Sequence, residues 1–291
     1  MEHSIATPDG RILRVVEAGR PDGRPVIFQH GGPAAGDPYG PHVENALQNG
    51  IRLIGYDRPG YGGSTRHAGR RVADSAEDVR AIAQQLGIGR LAVWGMSMGG
   101  PHALACAALL PDLVVAAGTL ASIAPYGAPG LDYFAGMGQA NVDDIKFTLE
   151  SEEAARARVP EDRESVLALT PETMAKEMET LMSDADAKGQ TEEFSRWIVA
   201  GMHKGLEKSG DGWWDDSLSV IKPWGFEVES IRVPVQVWHG RQDRFVPFQH
   251  GEWLAAHIPG ASAQLTEDDG HSTVVQRHVP ALHRWLLSHF D

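Results

Sequence analysis

One serine, Ser97, sits inside the run Gly95-Met96-Ser97-Met98-Gly99, and this G-x-S-x-G pattern constrains the fold more than any other stretch of the chain. Leu91 to Trp94 before it is a short apolar segment suited to a buried strand, and Pro101 to Leu110 after it is rich in Ala and Leu, which favour helix. A strand, a tight turn and a helix then follow within a few residues, so the serine hydroxyl is pushed out above a sheet edge. Side chains at Gly95 or Gly99 would crowd that turn, and Pro101 falls in the first helical turn, where its missing N–H costs nothing. With 33 glycines in 291 residues, chance supplies roughly 0.2 such matches, so the surrounding pattern has to support the reading.

That pattern is an alternation of strands and helices. Ser4–Ala6 and Ile12–Glu17 flank Pro8-Asp9-Gly10 and read as a hairpin. Strand-like segments follow at Pro25–Gln29, Arg52–Tyr56, Leu91–Trp94 and Leu113–Leu120, with helical spacing over Ala73–Leu86. The rhythm returns with a strand at Val235–His239, a helix at Gln249–His257, a strand at Ala263–Thr266 and a C-terminal helix ending near His289. Such alternation predicts an α/β fold, a mostly parallel central sheet covered on both faces by helices. Between about Pro125 and Ile221 no strand is expected, and Asp143–Ala157 and Pro171–Ser183 look helical. The chain thus divides into a core of residues 1–124 and 221–291 and a helical insertion of residues 125–220.

Charge narrows the partners. The chain has 26 basic and 39 acidic residues, a net charge of −13, which repels nucleic acid and anionic membrane surfaces. Asn141 to Glu193 alone holds 15 acidic and 6 basic residues, a solvated helical face in the simplest reading. Cys106, the single cysteine, falls on the apolar helix after Ser97 and is expected to be a core thiol. Neither a targeting segment nor a membrane-length apolar run is visible, so a cytoplasmic location is expected.

A serine hydroxyl needs a base, and the base needs a group that fixes its tautomer. His239-Gly240-Arg241-Gln242-Asp243 offers Asp243 after one strand, and Asp268-Asp269-Gly270-His271 offers His271 after the last. Each lies past a strand's carboxyl end, where open α/β sheets gather their sites. Asp268 and Asp269 compete with Asp243 as partner of His271, although neighbours in a tight loop rarely orient their own histidine; the earlier strand end, Ala121–Ala124, carries no acid. His30 stands before Gly31-Gly32 and suits loop shaping better than catalysis. His278, His283 and His289 lack metal-ligand spacing and read as surface positions of a helix; no metal or nucleotide cofactor is expected, since no phosphate-binding glycine pattern is complete.

Together, His30-Gly31-Gly32-Pro33, Asp57-Arg58-Pro59-Gly60-Tyr61-Gly62, Gly95-Met96-Ser97-Met98-Gly99, His239 to Asp243 and Gly270-His271 resemble the α/β-hydrolase superfamily, specifically its capped serine hydrolases with an HGGP loop. The resemblance implies Ser97 as nucleophile, His271 as base and then acid, Asp243 as its orienting carboxylate, the backbone N–H groups of Gly32 and Met98 as an oxyanion hole, and residues 125–220 as a cap. A serine, unlike the aspartate of epoxide- and halide-processing relatives, implies acyl transfer from an ester, lactone, thioester or amide, with a carboxylic ester first. Proline iminopeptidases share the HGGP loop but need acidic groups for a free amino terminus. Carbon–carbon bond hydrolases share the elbow but usually need a basic residue for a carboxylate. A binding protein on the same fold without turnover is a further class. Trp213, Trp214 and Trp224 cluster at the return from the insertion and are candidates for an apolar substrate pocket, or for pinning the insertion to the core.

Overall fold

The alternation read from the sequence builds one eight-stranded sheet, which the computed structural model describes over residues 1–290, with backbone alone at Ala175. The strands are β1 (Glu2–Ala6), β2 (Ile12–Gly19), β3 (Arg24–Gln29), β4 (Ile51–Tyr56), β5 (Leu91–Met96), β6 (Val114–Leu120), β7 (Val235–Gly240) and β8 (Ser262–Thr266). Their spatial order is β1-β2-β4-β3-β5-β6-β7-β8. The pairings of β1 with β2 and of β2 with β4 are antiparallel, and all others are parallel. Every residue of β5 is buried, as a central parallel strand covered on both faces requires.

Helices α1 (Gly40–Gln48) and, at the far end of the chain, α11 (His271–Leu287) pack on one face. On the other lie α2 (Ser75–Gln85), α3 (Gly99–Leu109) and α10 (Phe248–His257). The sheet separates two apolar clusters, one holding Ile27, Ile82, Leu104 and Val237, the other Phe28, Trp94, Val279 and Leu282. No helix among the described residues is long and apolar enough to cross a membrane.

Between β6 and β7 the chain forms α4 (Gln139–Glu150), α5 (Glu152–Leu167), α6 (Pro171–Glu177), α7 (Asp184–Gly189), α8 (Glu192–Gly205) and α9 (Asp211–Ile221), with no strand among them. Polar contacts tie this insertion down. Backbone bonds run from Ala35 N to Gly201 O at 2.9 Å and from Gly62 N to Gly205 O at 2.9 Å. Trp197 Nε1 donates to Asp37 O at 2.9 Å.

Three sequence expectations are corrected here. His283 is not a surface residue: it is buried on the face of α11 turned to the sheet, with Nδ1 2.9 Å from Asn45 Oδ1. His278 stacks on Trp238 with ring centroids 4.7 Å apart and is also only partly exposed. The acidic insertion is not uniformly a solvated face, because Asp186 is fully buried. Cys106 is buried beside Gln29 and Ser75, and burial pushes its thiol pKa up, away from reactivity.

Candidate active site

β5 ends at Met96 and the chain turns at Ser97, whose φ of 51° lies in the left-handed region that non-glycine residues rarely adopt. The glycines around it allow the turn. A Cβ on Gly95 would lie 2.2 Å from Gly99 O, and one on Gly99 would lie 2.2 Å from Gln29 O. Ser97 N donates to Leu120 O at 2.9 Å, which ties the elbow to the neighbouring strand.

The loop after β3 lies against this elbow. A Cβ on Gly31 would stand 3.6 Å from Ser97 Cβ, and one on Gly32 would stand 2.5 Å from Met98 Sδ. His30, fully buried, shapes the loop from beneath: its Nε2 accepts from Arg58 N at 3.1 Å, and its Nδ1 is 2.6 Å from Gly31 O. Burial and the Arg58 charge hold His30 well below the usual histidine range, so it stays neutral. Arg58 in turn donates to His30 O and, from Nη2, to Asp216 Oδ2 at 2.6 Å. Arg70 also bonds Asp216. Burial works against the Asp216 carboxylate, yet its two guanidinium partners hold its pKa well below the usual range. A fully buried ion cluster therefore connects α9 of the insertion to the loop beside Ser97.

Asp243 follows β7, and His271 is the first residue of α11 after β8, so the parallel sheet brings both to its carboxyl edge. His271 Nδ1 lies 2.7 Å from Asp243 Oδ2. The other carboxylate oxygen accepts from Phe245 N and Val246 N, each at 2.9 Å, which fixes the aspartate. Because the carboxylate can only accept, Nδ1 carries the proton and Nε2 presents a lone pair. Burial would raise Asp243, but the His271 charge and hydrogen bonds from His239 and His271 outweigh it and bring its pKa to about 2. Burial would lower His271, but Asp243 outweighs that, and the net shift is upward. The Phe245 ring stacks on the imidazole at 4.8 Å. Asp269, the competing acid, is engaged elsewhere, with Arg277 at 2.8 Å and His278 at 2.7 Å.

Ser97 and His271 face a common cavity of about 350 Å³ between the sheet edge and the insertion. Gly31, Gly32 and Met98 line it from the core, and Trp213 and Trp197 from the insertion. Trp214 and Trp224 do not line it, which corrects the expected tryptophan pocket. Trp224 is buried against Phe226 with Nε1 bonded to Val220 O at 3.1 Å, because the loop that leaves α9 packs it into the sheet's apolar cluster. Trp214, the neighbour of Trp213 on α9, points to another helix face and lies under the Arg156 guanidinium at 5.9 Å. Among the described residues no lysine or arginine lines the cavity, and the single carboxylate among them, Asp144, is paired with Arg158. No group of three or more His, Cys, Asp or Glu among the described residues could hold a metal ion.

Sequence reasoning missed Asp186. Ser183 caps α7 by accepting Asp186 N at 3.2 Å and donates its hydroxyl to the Asp186 carboxylate at 3.1 Å, a Ser-x-x-Asp signal that is legible in the sequence. Nothing in that signal says that the same carboxylate also accepts the N–H groups of His271, Ser272 and Thr273. Arg58 stands within a motif that sequence reading quoted, but its partner Asp216 is 158 residues away.

A family model described as alpha/beta hydrolase fold matches residues 24–277. Among curated proteins, the chain is 29% identical over 276 residues to the AB hydrolase superfamily protein YisY of Bacillus subtilis (strain 168), covering 93% of this chain and 92% of that one. It is 23% identical over 267 residues to the bifunctional esterase/perhydrolase DCH of Acinetobacter calcoaceticus, covering 84% and 83%. Among solved structures, it is similar to a thermophilic esterase from Thermogutta terrifontis, with a TM-score of 0.72, 21% identity and full coverage of both chains. The matched span takes in the Ser97 elbow and both loops that carry Asp243 and His271, and on that match the chain belongs to the alpha/beta hydrolase family.

Proposed function

We propose that this protein hydrolyses a small-molecule carboxylic ester, or a lactone, through an acyl-enzyme on Ser97. The observation that carries this reading is the 2.7 Å bond between His271 Nδ1 and Asp243 Oδ2 in a pair that shares one cavity with Ser97. His271 Nε2 takes the proton from Ser97 Oγ as the oxygen attacks the carbonyl carbon, then gives it to the departing alcohol. Water attacks the acyl-enzyme in the second half, losing its proton to His271, which returns it to Ser97 as the acid leaves. The N–H groups of Gly32 and Met98 bind the oxyanion, each contributing about 3 to 4 kcal/mol to the transition state. Residues 125–220 act as a cap over the core of residues 1–124 and 221–291 and shield the reacting carbonyl from bulk solvent while admitting the water that hydrolyses the acyl-enzyme.

The cavity favours this reading over its rivals. An aminopeptidase needs carboxylates free to hold an ammonium group, and Asp144 is already paired. A carbon–carbon bond hydrolase acting on a dienoate needs a cation, and the described residues of the lining include no lysine or arginine. Relatives named as an esterase/perhydrolase and an esterase add support. The test is a nitrophenyl ester assay of wild type beside Ser97→Ala, with fluorophosphonate labelling mapped by mass spectrometry. Ser97→Ala is expected to lose about three or more decades of rate. Wild type that turns over no ester and takes no label at Ser97 overturns the proposal in favour of a binding protein.

A further inference from the structure

The chain has eight methionines, and all except Met1 line the cavity above Ser97. They arrive from separate parts of the fold. Met96 and Met98 flank the elbow, Met137 precedes α4, and Met174 is on α6. Met178 and Met182 follow α6, and Met202 is on α8. Floor and roof of the cavity are thus both thioether. Methionine is unbranched and polarisable; it conforms to irregular shapes and makes favourable contacts with aromatic rings.

The polar groups of the lining are largely committed to the protein. Thr148 Oγ1 donates to Asp144 O at 2.9 Å, Asn141 Nδ2 to Phe245 O at 3.2 Å, and Gln190 Nε2 to Ser195 Oγ at 2.7 Å. His250 accepts from Ala124 N at 3.2 Å through Nδ1, and its Nε2 is 2.9 Å from Tyr133 O. Burial lowers its pKa to about 4, so it brings no positive charge. An ionic acyl group would be desolvated here without a partner. Size gives the other bound. An apolar cavity of about 150 Å³ takes one benzene, and this one, at about 350 Å³, has room for a ring, a short linker and the ester itself.

The geometry points to an uncharged arylalkanoyl group, one aromatic ring on a short chain, as the acyl half of the substrate, held by a thioether wall that reshapes around rings of different size. This rests on Ser97 being the nucleophile. The test compares kcat/KM for 4-nitrophenyl acetate, butyrate, 4-phenylbutyrate, 1-naphthylacetate and hemisuccinate. The phenylbutyrate is expected to exceed the acetate by about tenfold or more, and the hemisuccinate to fall about a hundredfold below the butyrate. In a Met178→Leu/Met182→Leu/Met202→Leu variant, whose folding is checked by its Tm, the branched and stiffer side chains are expected to cut the naphthylacetate about fivefold more than the phenylbutyrate. If Ser97-dependent turnover is found but the acetate equals the phenylbutyrate, or the hemisuccinate matches the butyrate, the acyl assignment is overturned and the ester reading stands. An unchanged naphthyl-to-phenyl ratio in a folded triple variant overturns the role of the thioethers. Absence of Ser97-dependent turnover with every ester overturns both.

Discussion

Asp186 Oδ2 accepts the backbone N–H of His271 at 2.9 Å, so a carboxylate of the helical insertion caps the helix that the imidazole begins. Its other oxygen accepts from Ser272 N at 2.9 Å and Thr273 N at 3.0 Å. Three N–H groups of a first turn, which no intrahelical carbonyl can reach, are satisfied by one side chain from 85 residues away. Gly270 leaves the space for it: a Cβ there would lie 2.2 Å from Asp186 Oδ2. The insertion is therefore bonded directly to the turn that carries the His271 imidazole.

Removing that charge is expected to move the pH profile. His271 titrates above the usual 6.5 although burial opposes this, because Asp243 raises it and Asp186 adds to the effect. In the proposed mechanism His271 accepts a proton only when neutral, so kcat/KM is expected to fall as pH drops through that raised value. Asp186→Asn keeps the shape and some acceptor capacity but loses the charge, and the acid limb is expected to shift to lower pH. Asp186→Ala leaves the first turn uncapped and costs about 1 to 3 kcal/mol of stability. An acid limb that stays in place in Asp186→Asn would show that the charge does not reach the imidazole.

The elbow stores strain that can be measured. Ser97 and Ala121 are the two non-glycine residues with positive φ among the described residues, each at 51°. A left-handed conformation costs an L-residue about 1 to 2 kcal/mol, and glycine escapes it while losing about 0.5 to 1 kcal/mol through the unfolded chain. Ser97→Gly is therefore expected to be about 0.5 to 1 kcal/mol more stable than Ser97→Ala, with both inactive. Chemical denaturation of the two variants checks the order, and Ser97→Ala emerging as the more stable would mean that the turn is not strained.

Buried neutral histidines make the fold sensitive to acid. Burial lowers His102, His250 and His283 to about 4 and His42 to about 3, with Arg58 also acting on His102 and His283 on His42. These folded values lie below the unfolded one, so their stability is present above pH 6.5 and is lost as pH falls toward 4. His271 has the opposite sign: its contribution is complete below 6.5 and does not change in this window. With His30, which is also held well below the usual range, five protons are taken up preferentially by the unfolded chain, and at about 1.4 kcal/mol per proton per pH unit they give a loss of about 5 to 6 kcal/mol between pH 6 and pH 5. Urea midpoints at the two pH values measure it. Superimposable curves would mean that these rings are charged in the folded state.

Local sterics and side-chain period made much of this protein legible from residues alone. The strands from Pro25 to Thr266 and the glycine-flanked turn at Ser97 follow from which residues tolerate a turn and which recur every second or every third to fourth position, and those strands put Asp243 and His271 just past strand ends. Helix α1 escaped because Gly40-Pro41 and its mixed polar face carry little period, and Trp214 was misplaced because adjacent helix residues face different ways. What only the tertiary structure decided is every relationship across a long loop. Asp186 meets His271 from 85 residues away and Arg58 meets Asp216 from 158 away. Methionines from separate elements meet in one cavity, and His283 turns inward. A chain's period reports which face of an element is apolar, whereas the partner of a buried charge is set by how two elements pack, and that information is held in the fold.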